Sequence, residues 1–234
     1  MSELVVGVIG SGNIGKGVAQ LATAAGLETV VANSRGPASL VALIAQLGGR
    51  ATADTVERAI ERADVVVLAI PFGAVGDLPA GVLAGKVVVD ATNYYPGRDG
   101  HVAALDDGGL TSSEYLASHL PGVLLVKGLN NIDFVRLPQL GRPAGSPERT
   151  ALPIAGDGLD AKVRVIEFLD VIGFDALDLG GLAEGRRSQP GSPIYVTPYS
   201  RPADPDVEDP TQRFLTAVPV PVPLAQAQAL TVNA

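Results

Sequence analysis

Near the amino terminus stand six residues, Gly10-Ser11-Gly12-Asn13-Ile14-Gly15, whose types and spacing suit them to hold a pyrophosphate against bare backbone. Gly10 permits a tight turn, Gly12 lets the backbone approach an anion with no Cβ in the way, and Gly15 lets a following helix lie close. Further on, Asn33-Ser34-Arg35 presents an amide, a hydroxyl and a guanidinium in succession. A hydroxyl beside a guanidinium fork matches a phosphate monoester.

Chemistry of this kind depends on what positions it. The glycines follow the apolar β-type run Leu4 to Ile9 and open a segment in which Ile14, Val18, Leu21, Ala22 and Ala25 share one helical face. Gly26 supplies the stop. The helix amino terminus then offers free N–H groups and the positive end of its dipole to the anion. A glycine hexapeptide alone is a weak signal in a chain with 28 glycines, and the strand–turn–helix frame is what makes it a dinucleotide site.

The second strand, Glu28 to Ala32, ends roughly 20 residues past the last glycine, where an NAD enzyme places a carboxylate for the ribose 2′-hydroxyl. Here Ser34 and Arg35 take that place, so the expected nucleotide is NADP(H), with its 2′-phosphate. Pro37 after Gly36 is ordinary helix-start chemistry.

Composition narrows the rest. The chain has 234 residues, 47% of them hydrophobic, enough for one α/β domain with an annex. A formal charge of −8 with no Lys/Arg run argues against nucleic-acid or anionic-membrane partners. There is no cysteine, which excludes disulfides, thiolate catalysis and thiolate-bound metals. His101 and His119 have no ligand partner at metal spacing, so no metal site is expected. No run of about 18 apolar residues and no leader pattern is present, which makes a cytoplasmic location the expectation.

Along the chain, helical and strand patterns alternate. Leu40, Leu43, Ile44 and Leu47 form a second amphipathic helix, and Asp54 with Glu57 suggest the cap of a short third one. Val65 to Ile70, Val87 to Val89 and Leu124 to Val126 are continuous apolar runs, as in central parallel strands buried on both faces. The pattern predicts a doubly wound parallel sheet of Rossmann type with its ligand at the carboxyl ends of the strands. Residues 1–148 read as the NADP-binding domain, 149–195 as a small C-terminal α/β portion and 196–234 as an extended proline-rich arm. Half of the 18 prolines lie after Arg187, and an arm of that kind suits wrapping a partner subunit.

With Gly10 to Gly15, Asn33-Ser34-Arg35-Gly36-Pro37, Asp90-Ala91-Thr92-Asn93 and Ala183-Glu184-Gly185-Arg186-Arg187 in order, the chain resembles the NADP oxidoreductases that use the deazaflavin coenzyme F420. More broadly, it is similar to the bacterial dinucleotide-binding reductases related to them. The resemblance covers about residues 3–195. It implies hydride exchange between NADPH and a second flat redox ring, F420 or alternatively FMN or FAD, in a protein that is commonly a homodimer. Ile70, Pro71 and Phe72 would flank the cofactor between adenine and nicotinamide, with Ala91 and Asn93 near the nicotinamide. Related membrane metalloreductases use a similar domain to reduce a flavin, so flavin or ferric reduction is the alternative activity. A non-enzymatic NADPH sensor is a third reading.

The acceptor side is written less plainly. Hydride passes between stacked rings with little help from side chains, so no catalytic residue is assigned. Tyr94 and Tyr95 could stack on the acceptor ring or pack their own turn before Pro96-Gly97. Lys127, Asn130 and Asn131 follow the sixth strand and are expected to orient a ring or a ribose edge. Glu184, Arg186 and Arg187 suit an ion network at an interface, with binding of the acceptor's phosphate or carboxylates as the alternative.

The Ser34–Arg35 reading has a direct check. Replacing Arg35 by Ala should weaken NADPH binding by about 2 kcal/mol and leave NADH nearly unchanged, as loss of one charge-assisted phosphate contact requires. Equal losses for both nucleotides, measured by titration, would remove the 2′-phosphate assignment.

Overall fold

The computed structural model describes residues 4–204 and 206–232. Six parallel strands, β1 (Val5–Ile9), β2 (Glu28–Ala32), β3 (Ala51–Ala53), β4 (Val65–Leu68), β5 (Val87–Asp90) and β6 (Leu124–Lys127), form one sheet in the order β3-β2-β1-β4-β5-β6. The order reverses between β1 and β4, which opens a crevice at their carboxyl ends.

Strand residues alternate between two cores. Val6, Val8, Val67 and Val126 face one side, where α1 (Asn13–Ala24) contributes Val18 and Ala22. Ile9, Val66, Leu68 and Val88 face the other, against Ala59 and Ile60 of α3 (Val56–Arg62) and Leu83 of α4 (Ala80–Leu83). Burial on both faces is why these strands read as unbroken β-branched runs. The helix α2 (Val41–Leu47) follows a single 3₁₀ turn over Pro37–Leu40. Thr55, not Asp54, caps α3: its hydroxyl accepts from the Arg58 amide, while Asp54 turns to the Thr55 amide. Short helices α5 (Pro96–Asp99) and α6 (Ala103–Asp106) and the longer α7 (Ser112–His119) join β5 to β6.

After α8 (Leu137–Leu140), strands β7 (Ala151–Ile154) and β8 (Asp175–Asp178) pair parallel in a separate two-stranded sheet, bridged by α9 (Leu159–Val171). This pair does not extend the main sheet; one isolated antiparallel bridge, Lys127 to Ala155, links the two. Val165, Phe168 and Leu169 of α9 and Phe174 pack into the core shared by both.

The proline-rich region is not one extended arm. It folds into β9 (Ser200–Arg201), α10 (Pro210–Thr216), β10 (Val218–Pro219) and α11 (Leu224–Thr231), with β9 and β10 antiparallel. The alternating Pro and Val of 219–223 do run extended, yet they lie on this chain's own body. Val222 is fully buried, its carbonyl accepts from the Ala151 amide at 2.8 Å, and Ala227 of α11 is fully buried as well. Arg136, fully buried, reaches the Phe214 and Ala217 carbonyls and lies over the Phe214 ring. Burial of a few apolar side chains is enough to hold a segment whose prolines rule out continuous pairing.

Val222 tests this packing. Substitution by Ala should destabilise the protein by about 2 kcal/mol in urea unfolding, as a core truncation does; an unchanged midpoint would place the tail outside the cooperative core.

Candidate functional site

The glycine turn explains the crevice. Gly10 adopts φ +111°, and a Cβ there would stand 2.2 Å from the Ala69 carbonyl, so β1 and β4 can turn away side by side only with glycine. A Cβ on Gly15 would fall 1.9 Å from the Gly10 carbonyl, which shows how tightly α1 is set against the turn. Gly12 is different, because a Cβ there would meet nothing within 4 Å. Its missing side chain leaves space open on the crevice side, and α1 starts with no side-chain cap, so its first amides are left for a ligand.

A cleft of about 760 Å³ extends from this turn. Of the residues expected at the nucleotide, Gly10, Ser11, Gly12, Asn33, Ser34, Arg35, Ile70 and Pro71 line it. Asn13, Ile14 and Gly15 belong to the first turn of α1 behind it, where Ile14 packs into the core. Ser34 and Arg35 are exposed at the rim. Asn33 fastens that rim to the glycine turn: its Nδ2 donates to Ser11 Oγ at 2.9 Å, and its Oδ1 accepts from the Arg35 amide at 2.9 Å and from Ser39 Oγ at 3.1 Å. Thr55, Val56 and Glu57 at the start of α3, and Ala74, Asp77, Leu78 and Pro79 after β4, complete the wall. These seven were not read from the sequence. The signal for them was positional, since they follow the carboxyl ends of β3 and β4.

Phe72 departs from expectation. It is 3% exposed and points into the core, edge-on to Tyr94 at 5.4 Å and tilted to Tyr115 at 5.7 Å, so it supports the cleft from behind. The loops after β4 and β5 are tied together by Asp99, whose carboxylate accepts from the Gly73 amide at 3.1 Å and the Tyr95 amide at 2.9 Å. Burial works against its charge, but these amides and Arg98 hold the Asp99 carboxyl below the usual range.

The fold and cleft have counterparts among known proteins. A family model described as NADP oxidoreductase, coenzyme F420-dependent, matches residues 5–94. A hypothetical protein of Sinorhizobium meliloti, solved by crystallography, is 33% identical, covers 82% of this chain and 93% of its own, and superposes with a TM-score of 0.71. The chain belongs to the coenzyme F420-dependent NADP oxidoreductase family. A candidate F420-dependent NADP reductase from Arthrobacter sp. FB24 shares the fold, with 23% identity, a TM-score of 0.64, and coverage of 79% of this chain and 88% of its own. Metalloreductase STEAP3 of Rattus norvegicus is 32% identical over 82% of this chain and 37% of its own length. The chain thus spans little more than a third of the curated relatives it matches. NADP(H) is the nucleotide of this oxidoreductase family.

In this family member, the residues expected near the nicotinamide and at the acceptor take several different positions. Ala91 is buried at the end of β5, and Asn93 is half-buried beyond it. Lys127 does not reach an open site. It is fully buried, with Nζ 3.1 Å from Asp90 Oδ2 and donating also to the Thr92 carbonyl and, at 3.4 Å, to Ser112 Oγ. Burial pushes its ammonium down, and the Asp90 carboxylate opposes that shift. Asp90 further accepts from Thr92 Oγ1 and Ser113 Oγ, both at 2.6 Å, so all its neighbours are donors.

Asn130 Nδ2 donates to Asn93 Oδ1 at 3.2 Å and to the Ser188 carbonyl at 2.8 Å, while Asn93 Nδ2 donates to the Asn130 carbonyl at 2.8 Å. Asn131 is fully buried and donates to the Ile194 carbonyl and Tyr199 Oη. Tyr94 places its hydroxyl within 2.9 Å of Asp106 and the Gly100 carbonyl, on the edge of a second cavity of about 510 Å³ that Ser112 and Gln189 also line. Arg187 pairs with Glu184 at 3.0 Å within one turn. Among the described residues, no group of three acidic, His or Cys side chains could hold a metal ion, and no helix is long and apolar enough to cross a membrane.

The buried pair yields a stability prediction. Lys127→Met leaves the Asp90 carboxylate buried without its counter-charge and should cost about 3–5 kcal/mol in urea unfolding. Adding Asp90→Asn should restore most of it; a double variant no more stable than the single one would show that the pair itself is not the source.

Proposed function

We propose that this protein is an NADPH-dependent reductase that passes hydride to a planar redox ring, with the deazaflavin F420 as acceptor. The observation that carries the nucleotide half is the 760 Å³ cleft, whose floor is the open space at Gly12 and whose rim carries Ser34 and Arg35 at the end of β2. In this reading the uncapped amides of α1 hold the pyrophosphate and Ser34 with Arg35 hold the 2′-phosphate. Ile70, Pro71, Ala74, Leu78 and Pro79 form an apolar slot suited to the adenine. NADPH supplies the hydride from its nicotinamide ring when bound. This chain's part is to orient the nucleotide and exclude water, so no side chain is given a proton-transfer role.

The acceptor rests on the family to which the chain belongs. A second reading, reduction of a flavin (FMN or FAD) or of ferric ion, is favoured by the 32% identity to the STEAP3 metalloreductase across most of this chain.

Mixing purified protein with NADPH and, in turn, F420, FMN, FAD or a ferric chelate distinguishes these acceptors by the loss of nicotinamide absorbance. F420 should give the largest acceleration. Faster oxidation with flavin or ferric chelate than with F420 would select the second reading, and tight NADPH binding with no acceleration by any acceptor would overturn the reductase.

A further inference from the structure

Segment 188–199 lies across the carboxyl ends of β5 and β6, far along the chain from the glycine turn. It is clipped down by the two asparagines that follow β6: Asn130 donates to the Ser188 carbonyl, Asn131 donates to the Ile194 carbonyl at 3.2 Å, and the Asn131 carbonyl accepts from the Val196 amide at 2.8 Å. Ile194 and Tyr199, on either side, are fully buried. Between them the chain does something costly. Val196 sits at φ +56° and ψ −53°, and the Thr197 amide donates to the Tyr195 carbonyl at 2.6 Å, which together make a γ-turn of the rare positive-φ type. A β-branched residue avoids that geometry, and such outliers persist only where the surroundings impose them.

The turn aims Tyr195. Its hydroxyl meets the hydroxyl of Tyr95 in a short hydrogen bond and stands 3.5 Å from Asn93 Nδ2. Arg98 lies over the Tyr95 ring, 4.9 Å from its centroid, and donates to the Asn93 carbonyl at 2.7 Å. Tyr195, Tyr95, Arg98 and Asn93 therefore form one group just beyond the ends of β5 and β6. A dinucleotide whose adenosine half lies over β1 and β2 extends across the switch point toward this side of the sheet.

On the strength of the NADPH reading, we infer that Tyr195 is a positioning residue for the nicotinamide half of the nucleotide, acting through Asn93 and Tyr95. The strained turn at Val196 sets the phenol, the phenol sets the Asn93 amide and the Tyr95 ring, and these present amide and hydroxyl groups to a carboxamide. Burial and the Tyr95 hydroxyl push the Tyr195 phenol up, so it remains protonated and able to donate throughout the neutral range.

Binding tests this without turnover. Tyr195→Phe keeps the ring and removes the hydroxyl; Tyr95→Phe removes the same phenol–phenol bond from its exposed partner. Each variant is titrated with NADP⁺ and with adenosine 2′,5′-bisphosphate, which carries only the adenosine half. NADP⁺ affinity should fall about threefold to tenfold, the effect of losing one hydrogen bond, while the bisphosphate changes less than about twofold. Equal losses for both ligands, or no loss for either in both variants, would overturn the inference and leave the cleft assignment standing. Wild-type protein that binds neither ligand would overturn the nucleotide reading and, with it, this inference.

Discussion

Much of the architecture depends on the charge pair between Asp90 and Lys127, both without any exposed surface. It sits at the last residues of two neighbouring strands, where β5 and β6 end together in register. Two charges at that depth persist only if each is compensated, and every polar neighbour of Asp90 is a donor, from Thr92, Ser113 and Lys127 itself. The same lysine is bridged to Ala155 and packs its stem against Gly185. One buried ammonium thereby joins the main sheet, the α7 start and the C-terminal portion, directly beneath the loops that carry Asn93 and Asn130.

Above that pair, the two halves of the site are built on different principles. Around the glycine turn the construction is a matter of backbone: three glycines, an uncapped helix start and a rim held by the Asn33 side chain. Beyond the ends of β5 and β6 it is a matter of side chains that hold one another, Asn93 with Asn130 and Tyr195, and Tyr195 with Tyr95. A backbone cradle is general for anions, and a side-chain network is particular to one ring and one orientation.

The tail belongs to the same construction. Val222 pairs along β7, Thr231 and Leu179 offer carbonyls to Arg187, and Tyr199 seats on Asn131. What reads as a separate arm is therefore continuous with the segment that carries Tyr195.

The local signals were strong where one stretch of chain does a whole job. The glycine spacing, the helical face from Ile14 to Ala25 and the β-branched runs were legible because turn geometry and burial periodicity act over a few neighbours. They were enough to predict the doubly wound sheet and the nucleotide turn. Side-chain direction was not legible. Phe72 and Asn131 sit at the expected loops and Lys127 ends β6, but all three face inward, since whether a residue at or after a strand end points to a cleft or to the core depends on what packs behind it. Nor could the sequence bring Tyr195 against Asn93, because the two lie 102 residues apart in the chain. Periodicity and turn chemistry were determined by the sequence alone; the closing of distant loops around one crevice was decided only by tertiary packing, which no short stretch of residues encodes.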